Sequence, residues 1–206
     1  MITAPLIHVV DDDASLRAAL LRLLAAAGFE ARGYASAGDF LMQPPPDRPG
    51  CVLLDVRMPG PSGLELQAHL QERGVALPVI FLTAYADVTS SVRAMKAGAV
   101  DFLTKPIERD ALLDALRRAL ERDARQNAER AEAARLRALF ASLTPREREV
   151  FDRIVAGEQN RQIGQELGVS ERTVKAERAQ VMAKLGAGSA AELGRLAERF
   201  RRLSGG

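Results

Sequence analysis

Four short apolar runs, each leading into a polar group, set the pattern of the first half of the chain. Leu6-Ile7-His8-Val9-Val10 runs into Asp11-Asp12-Asp13, and Cys51-Val52-Leu53-Leu54 ends at Asp55. Val79-Ile80-Phe81-Leu82 ends at Thr83, and Val100-Asp101-Phe102-Leu103 is followed by Lys105-Pro106. Near-continuous apolar runs of this length predict strands buried on both faces of a parallel sheet. Helical segments alternate with them through residue 103, the order of βα units. Asp13 stands just before the helix predicted over residues 14–27, where a carboxylate serves as N-cap. Pro44-Pro45-Pro46 interrupts the chain before the third strand.

From Asp110 the pattern changes. Leu112, Leu113, Leu116 and Leu120 mark one helix face, and residues 121–137 are almost all Ala, Arg, Glu, Asp and Gln, without Gly or Pro. Such composition favours continued helix, with support from pairs such as Glu121–Arg125. Thr144-Pro145-Arg146-Glu147 is a capping box with Pro at the first helical position. Val150, Ile154 and Val155 follow at helical spacing, and Gly157 ends that helix. A second helix starts at Asn160, turns Ile163 and Leu167 inward and stops at Gly168. Ser170 caps a third, carrying Val174, Val181, Met182 and Leu185. Ser189-Ala190-Ala191-Glu192, another capping box, opens a fourth with Leu193, Leu196 and Phe200. The second and third helices have the spacing of a helix-turn-helix.

The polar groups matter because the carboxyl ends of strands in an open α/β sheet converge on one crevice. Carboxylates gathered there repel one another unless a cation intervenes. Oxygen-only donors suit Mg²⁺. Lys105 and Thr83 can each serve a phosphoryl oxygen, and a carboxylate can be the nucleophile that forms an acyl phosphate. The chemistry that fits is phosphoryl transfer onto Asp55. A single Asp after a strand would mean no more than a helix cap, which is the reading for Asp13. Polar groups at four strand ends mean a site.

Val-Val-Asp-Asp-Asp at 9–13, Leu-Leu-Asp-Val-Arg-Met-Pro-Gly-Pro-Ser-Gly at 53–63, Leu-Thr-Ala at 82–84, Met-Lys-Ala-Gly-Ala-Val-Asp-Phe at 95–102 and Lys-Pro at 105–106 resemble a response-regulator receiver domain over about residues 5–122. The resemblance implies a flavodoxin-like, doubly wound sheet of five parallel strands in the order 2-1-3-4-5, and a sensor histidine kinase as phosphoryl donor. It makes Asp55 the phospho-acceptor. Asp11, Asp12, Asp55 and the backbone carbonyl of Arg57 become Mg²⁺ ligands, Asp11 through water. Thr83 becomes the switch hydroxyl, Lys105 the phosphate-sensing ammonium and Phe102 the rotameric aromatic. The Lys105–Pro106 bond is expected to be cis, aiming Lys105 into the site. The resemblance also implies dimerisation on phosphorylation through residues 87–103, with Val88, Val92 and Lys96 as contacts. Arg57 and Tyr85 would flank the mouth of the site, and Tyr85 is expected to shield the acyl phosphate.

On the third C-terminal helix, Arg172, Lys175, Ala176 and Ala179 follow i, i+3, i+4, i+7 and make one small, basic face that can enter a major groove closely. Leu-Thr-Pro-Arg-Glu-Arg-Glu-Val at 143–150, Asn160, Ile163, Leu167-Gly168-Val169-Ser170, Thr173-Val174-Lys175 and Lys184-Leu185 resemble a LuxR-type DNA-binding domain over about residues 140–203. Thr173 and Arg178 join the expected DNA-binding set. Where many relatives read Thr-Val-Lys-x-His-Arg, this chain has Glu177. A carboxylate there repels phosphate unless it pairs with Arg178 or Lys184 or accepts from cytosine. Helical geometry puts it nearer the Val174–Val181 side, which implies a flanking or structural role. With the receiver, the whole chain resembles the FixJ/NarL class of response regulators.

Composition changes the picture little. The 206 residues allow two small domains, here 1–122 for the receiver, 123–139 for a helical linker continuing its last helix, and 140–206 for an all-α, four-helix DNA-binding domain. Residues 1–125 hold 14 basic and 16 acidic side chains, a net −2, whereas residues 126–206 hold 15 and 11, a net +4. That bias permits nucleic-acid binding. Apolar runs are strand-sized, far short of a membrane span, and Met1-Ile2-Thr3-Ala4-Pro5 shows no signal-peptide pattern. A lone Cys51 inside a strand reads as a small buried hydrophobe, and all this fits a cytoplasmic protein. His8 and His69 lack metal-like partners. The expected function is a transcription factor, an activator by class, that dimerises when phosphorylated and engages RNA polymerase. The expected enzymatic activity is confined to its own aspartyl phosphorylation and dephosphorylation. Two alternatives are a Mg²⁺-dependent phosphohydrolase, disfavoured by the helix-turn-helix, and a phosphorylation-independent DNA binder, disfavoured by the complete receiver set.

Overall fold

A computed structural model gives the fold and describes residues 4–43, 48–84, 92 and 94–204. The chain divides into two compact units, Met1–Asn127 and Ala128–Gly206.

The first unit is built on five parallel strands: β1 (Leu6–Val10), β2 (Glu30–Tyr34), β3 (Gly50–Asp55), β4 (Val79–Thr83) and β5 (Asp101–Thr104), in the order β2-β1-β3-β4-β5. Every residue of β1, β3 and β4 is buried. Their side chains alternate between two cores, as the period of two dictates. Val10, Val52, Leu54 and Phe81 pack toward α2 (Ala37–Met42) and α3 (Gly63–Glu72), through Phe40, Leu66 and Leu70. Val9, Cys51, Leu53, Ile80 and Leu82 pack against Leu20 and Leu24 of α1 (Ala14–Ala26) and Leu112 and Leu116 of α4 (Arg109–Ala141). Each such fully buried Leu contributes roughly 1.5–3 kcal/mol. Cys51 is one of these core residues, and burial pushes its thiol up to about 12. His8, 1 % exposed, shares a proton with the Tyr34 hydroxyl at 3.0 Å and meets the edge of Phe40. The strand order reverses between β1 and β3, which opens a crevice at their carboxyl ends.

The Asp13 carboxylate caps α1 by accepting from the Ser15 and Leu16 amides, as expected. Helix α4 is continuous over 33 residues. Ion pairs along it join Arg117 to Asp114 and Arg135 to Glu132 rather than the expected Glu121–Arg125. Asp123 is buried and accepts from the Gly50 amide at 3.0 Å and Asn127 Nδ2 at 3.1 Å. The turn beyond residue 122 therefore still packs on the start of β3.

The second unit holds α5 (Pro145–Val155), α6 (Asn160–Leu167), α7 (Glu171–Leu185) and α8 (Ala190–Ser204) around Phe140, Val150, Ile154, Ile163, Val174, Val181, Leu185 and Leu193. The Thr144–Glu147 capping box is present in both directions, with Pro145 at the helix start. Gly168, at φ 66°, makes the left-handed turn that only glycine takes cheaply, and Ser170 then caps α7. At α8 the expected box closes only halfway. Ser189 accepts from the Glu192 amide, but Glu192 accepts from the Gly188 amide. The expected chain break at Pro44–Pro46, Val88, Tyr85 and most of the helix before β5 lie outside the described residues.

Candidate functional site

Strand register brings the reactive groups of the first unit together. Val10 pairs with Leu54, Asp55 with Leu82, and Thr83 with Thr104, so the residues that follow emerge side by side. Asp11 is fully buried, Asp55 is 6 % and Thr83 4 % exposed, while Asp12 stays exposed. One oxygen from each of Asp11, Asp12 and Asp55 lies within 4.8 Å of the others. Lys105 bridges two of them, with Nζ 2.8 Å from Asp11 Oδ2 and 3.3 Å from Asp55 Oδ1. Its amide donates to the Thr83 carbonyl at 2.6 Å, and the Lys105–Pro106 bond is cis, with Pro106 itself exposed.

The other Asp11 oxygen accepts from the Asp13 amide at 2.9 Å, and the Asp11 carbonyl from Arg17 Nη1 at 2.6 Å. Arg17 escaped the sequence reading, although it lies one turn along the helix that Asp13 caps. Gly63 is the other residue whose role the motif alone did not convey. A Cβ there would lie 2.2 Å from the Asp55 carbonyl oxygen, so only glycine lets α3 begin so close to the acceptor strand. Arg57 is exposed at the rim. Phe102 is half-buried, its ring 6.2 Å from that of Phe81.

The electrostatics follow from burial. Desolvation pushes the Asp55 carboxyl above the usual range and the Asp11 charge adds to it, with Lys105 opposing both. Burial pulls the Lys105 ammonium down, but its hydrogen bond to Asp11 and the charges of Asp11 and Asp55 outweigh that, so its pKa ends raised. One lysine cannot neutralise three carboxylates. Oxygen donors this close, with no nitrogen or sulfur among them, fit a hard divalent cation.

In the second unit, Arg172, Lys175, Ala176 and Ala179 all lie exposed on one face of α7. Thr173 is also exposed, but its hydroxyl is tied to Ser170 Oγ at 2.8 Å in the cap, and Arg178 is half-buried. Glu177 pairs with Arg146 of α5, not with either expected partner, because Lys184 is taken by Glu147. The periodicity of α7 placed Glu177 on the flank correctly, but nothing in one helix reveals what packs across from it.

A sheet of this order with an acidic pocket at its carboxyl edge is a receiver fold, and the helical unit is a helix-turn-helix module. Known proteins are similar on both counts. Residues 7–117 match the response regulator receiver domain, and residues 141–197 match the luxR family of bacterial regulatory proteins. Nodulation protein W of Bradyrhizobium diazoefficiens is 42% identical over 95% of this chain and 86% of its own. Transcriptional regulatory protein FixJ of the same species is 42% identical over 97% of each chain. Among solved structures, the response regulator StyR superposes with a TM-score of 0.90 at 45% identity, covering 96% of this chain and 100% of that one. Full-length FixJ from B. japonicum gives 0.60 at 41%, covering 97% and 99%. The chain belongs to the FixJ/NarL class of two-component response regulators. It is thus a DNA-binding transcriptional regulator, whose receiver implies a histidine kinase partner and whose acidic pocket is of the kind in which receivers bind Mg²⁺. Among the described residues no helix is long and apolar enough to cross a membrane.

Proposed function

We propose that Asp55 accepts a phosphoryl group from a sensor histidine kinase and that the phosphorylated protein, as a dimer, activates transcription from the cytoplasm. The observation that carries this reading is the Lys105 ammonium lying between Asp11 and Asp55 beside the buried Thr83. An Asp55 oxygen attacks phosphorus as the P–N bond of the kinase phosphohistidine breaks, leaving the imidazole to regain its proton from solvent. Lys105 and the Thr83 hydroxyl then hold the phosphoryl oxygens. Asp11, Asp12, Asp55 and the Arg57 carbonyl would hold Mg²⁺, which when bound neutralises charge on the phosphoryl group. Thr83 moving toward that group vacates space for Phe102 to turn inward, with Pro106 setting the course of the chain behind Lys105.

Residues 87–103 form the dimer face in this proposal. Val92, 46% exposed, and Met95, 48% exposed, are apolar side chains on that segment, beside the exposed Lys96. Residues 1–122 act as receiver, 123–139 as helical linker and 140–206 as DNA-binding domain. Arg172, Lys175, Ala176 and Ala179 enter the major groove, supported by Thr173 and Arg178, and the activated dimer engages RNA polymerase. The test is incubation of the full chain with a small acyl phosphate and Mg²⁺. Intact mass should rise by one phosphoryl group, and light scattering at micromolar concentration should show a dimer. An unchanged mass of the chain overturns the acceptor assignment, and a phosphorylated monomer overturns the dimer.

A further inference from the structure

One stripe of α7 makes its polar contacts with the start of α5. Glu177 and Lys184 are seven residues apart, two helical turns, and so project to the same side. Each meets an opposite charge in the first turn of α5. Arg146 Nε donates to Glu177 Oε1 at 3.1 Å, and Lys184 Nζ donates to Glu147 Oε2 at 2.6 Å and to the Ser142 carbonyl at 3.3 Å. Arg146 and Glu147 are adjacent and of opposite sign, and their partners two turns apart on α7 are likewise of opposite sign. A shift of α7 that brought Lys184 toward Arg146, or Glu177 toward Glu147, would oppose like charges. One register therefore satisfies all four.

The Glu177 side chain is only 20% exposed, and its Oε2 is buried without a hydrogen-bond partner. An oxygen held this way carries a desolvation cost that the Arg146 contact must offset, which points to a contact kept for geometry more than for stability. The geometry is sensitive. Side-chain tips lie roughly 5–6 Å from a helix axis, so a rotation of about 10° moves them about 1 Å, enough to break a hydrogen bond to a base edge.

We propose that Glu177 is a positioning residue for DNA readout: clasped by Arg146, it sets the rotation of α7 about its own axis and so aims Arg172 and Lys175, without itself touching a base. The proposal rests on α7 being the helix that enters the groove. The full chain, phosphorylated with a small acyl phosphate, is titrated against a duplex that the wild type enriches from a random pool and against a scrambled duplex. Glu177→Gln and Arg146→Gln each lower the enriched-to-scrambled affinity ratio by about tenfold, and the double variant lowers it no further. The ratio is the informative quantity, because one variant removes an anion and the other a cation. Arg146→Lys restores part of the ratio, and the melting midpoint of Glu177→Gln moves little, since that variant removes the desolvated charge together with its contact.

An unchanged ratio for Glu177→Gln overturns the proposal, as does an additive loss in the double variant. So does a changed base preference for Glu177→Gln that Arg146→Gln does not share, which would make Glu177 a reader. A ratio that falls only along with a large drop in melting midpoint assigns the pair to folding instead. Lys175→Ala separates the underlying assumption: if it leaves the ratio intact, the groove-facing reading of α7 fails independently of Glu177.

Discussion

At the receiver site the reactive groups come from four strand ends: Asp11 and Asp12 after β1, Asp55 closing β3, Thr83 closing β4 and Lys105 after β5. On α7 the equivalent set, Arg172, Lys175, Ala176 and Ala179, comes from two turns of one helix. The first site is acidic and, Asp12 apart, largely buried, crossed by a single lysine; the second is exposed and basic. Removing Asp11, Asp55 or Lys105 disturbs neighbours far away in sequence, because these charges meet from three different strand ends. Removing one group from the second trims an exposed side chain and leaves the helix standing. What has to be accurate differs too. Strand register positions the first site, whereas the second depends, in the reading proposed above, on the rotation of a whole helix.

The sharpest way to break that contrast is Asp55→Asn. The amide is nearly isosteric but no nucleophile, so phosphorylation should vanish with the fold intact, and intact-mass measurement after incubation with an acyl phosphate and Mg²⁺ decides it. Stoichiometric gain in mass would mean another acceptor. Next comes Lys175→Ala, expected to cost about 1–3 kcal/mol in specific binding if it contacts a base. Equal loss on enriched and scrambled duplexes in titrations would identify a phosphate contact instead.

Gly63→Ala probes the dependence of the buried site on close packing. Its Cβ would lie 2.2 Å from the Asp55 carbonyl oxygen and 3.0 Å from Leu54 Cγ, so α3 or β3 must shift. A loss of about 1–3 kcal/mol is expected, read by denaturant unfolding, together with slower phosphorylation. Wild-type stability would show that the strand end yields without cost.

The effect that is smallest at neutral pH, and grows only on acidification, concerns His8. Burial, aided by the charges of Arg32 and Arg48, pulls its pKa down from 6.5 to about 4. Below about 6.5 the unfolded chain takes up a proton that the folded chain refuses until about pH 4. The contribution of His8 to stability is therefore present above 6.5 and falls with pH across that window, by at most about 1.4 kcal/mol per pH unit. His8→Leu should flatten the stability-against-pH slope there, whatever its effect at pH 7. An unchanged slope in unfolding curves would show that His8 titrates normally in the fold.

Legibility in the sequence followed the strength of the local signal. β1, β3 and β4 stood out because a strand buried on both faces must be apolar throughout. β2 did not, since it lies at the sheet edge and exposes Glu30, Arg32 and Gly33, leaving no apolar run to see. Caps at Asp13, Thr144 and Ser170 could be read because they depend on residues three or four apart. The Ser189 box could be read only in part, because Glu192 could choose between two neighbouring amides and took that of Gly188.

By itself the sequence determined which residues lie inward, where helices begin and end, and which polar groups stand at strand ends, because each of these is set by periodicity or by contacts a few residues long. Which charge meets which was decided only in three dimensions. Lys105 reaches Asp11 across 94 positions, Arg146 rather than Lys184 claims Glu177, and Gly63 must lack a side chain because the Asp55 carbonyl lies against it. Ion pairs and close contacts form by distance in space, and that distance is fixed by how strands register and helices pack rather than by anything local in the chain.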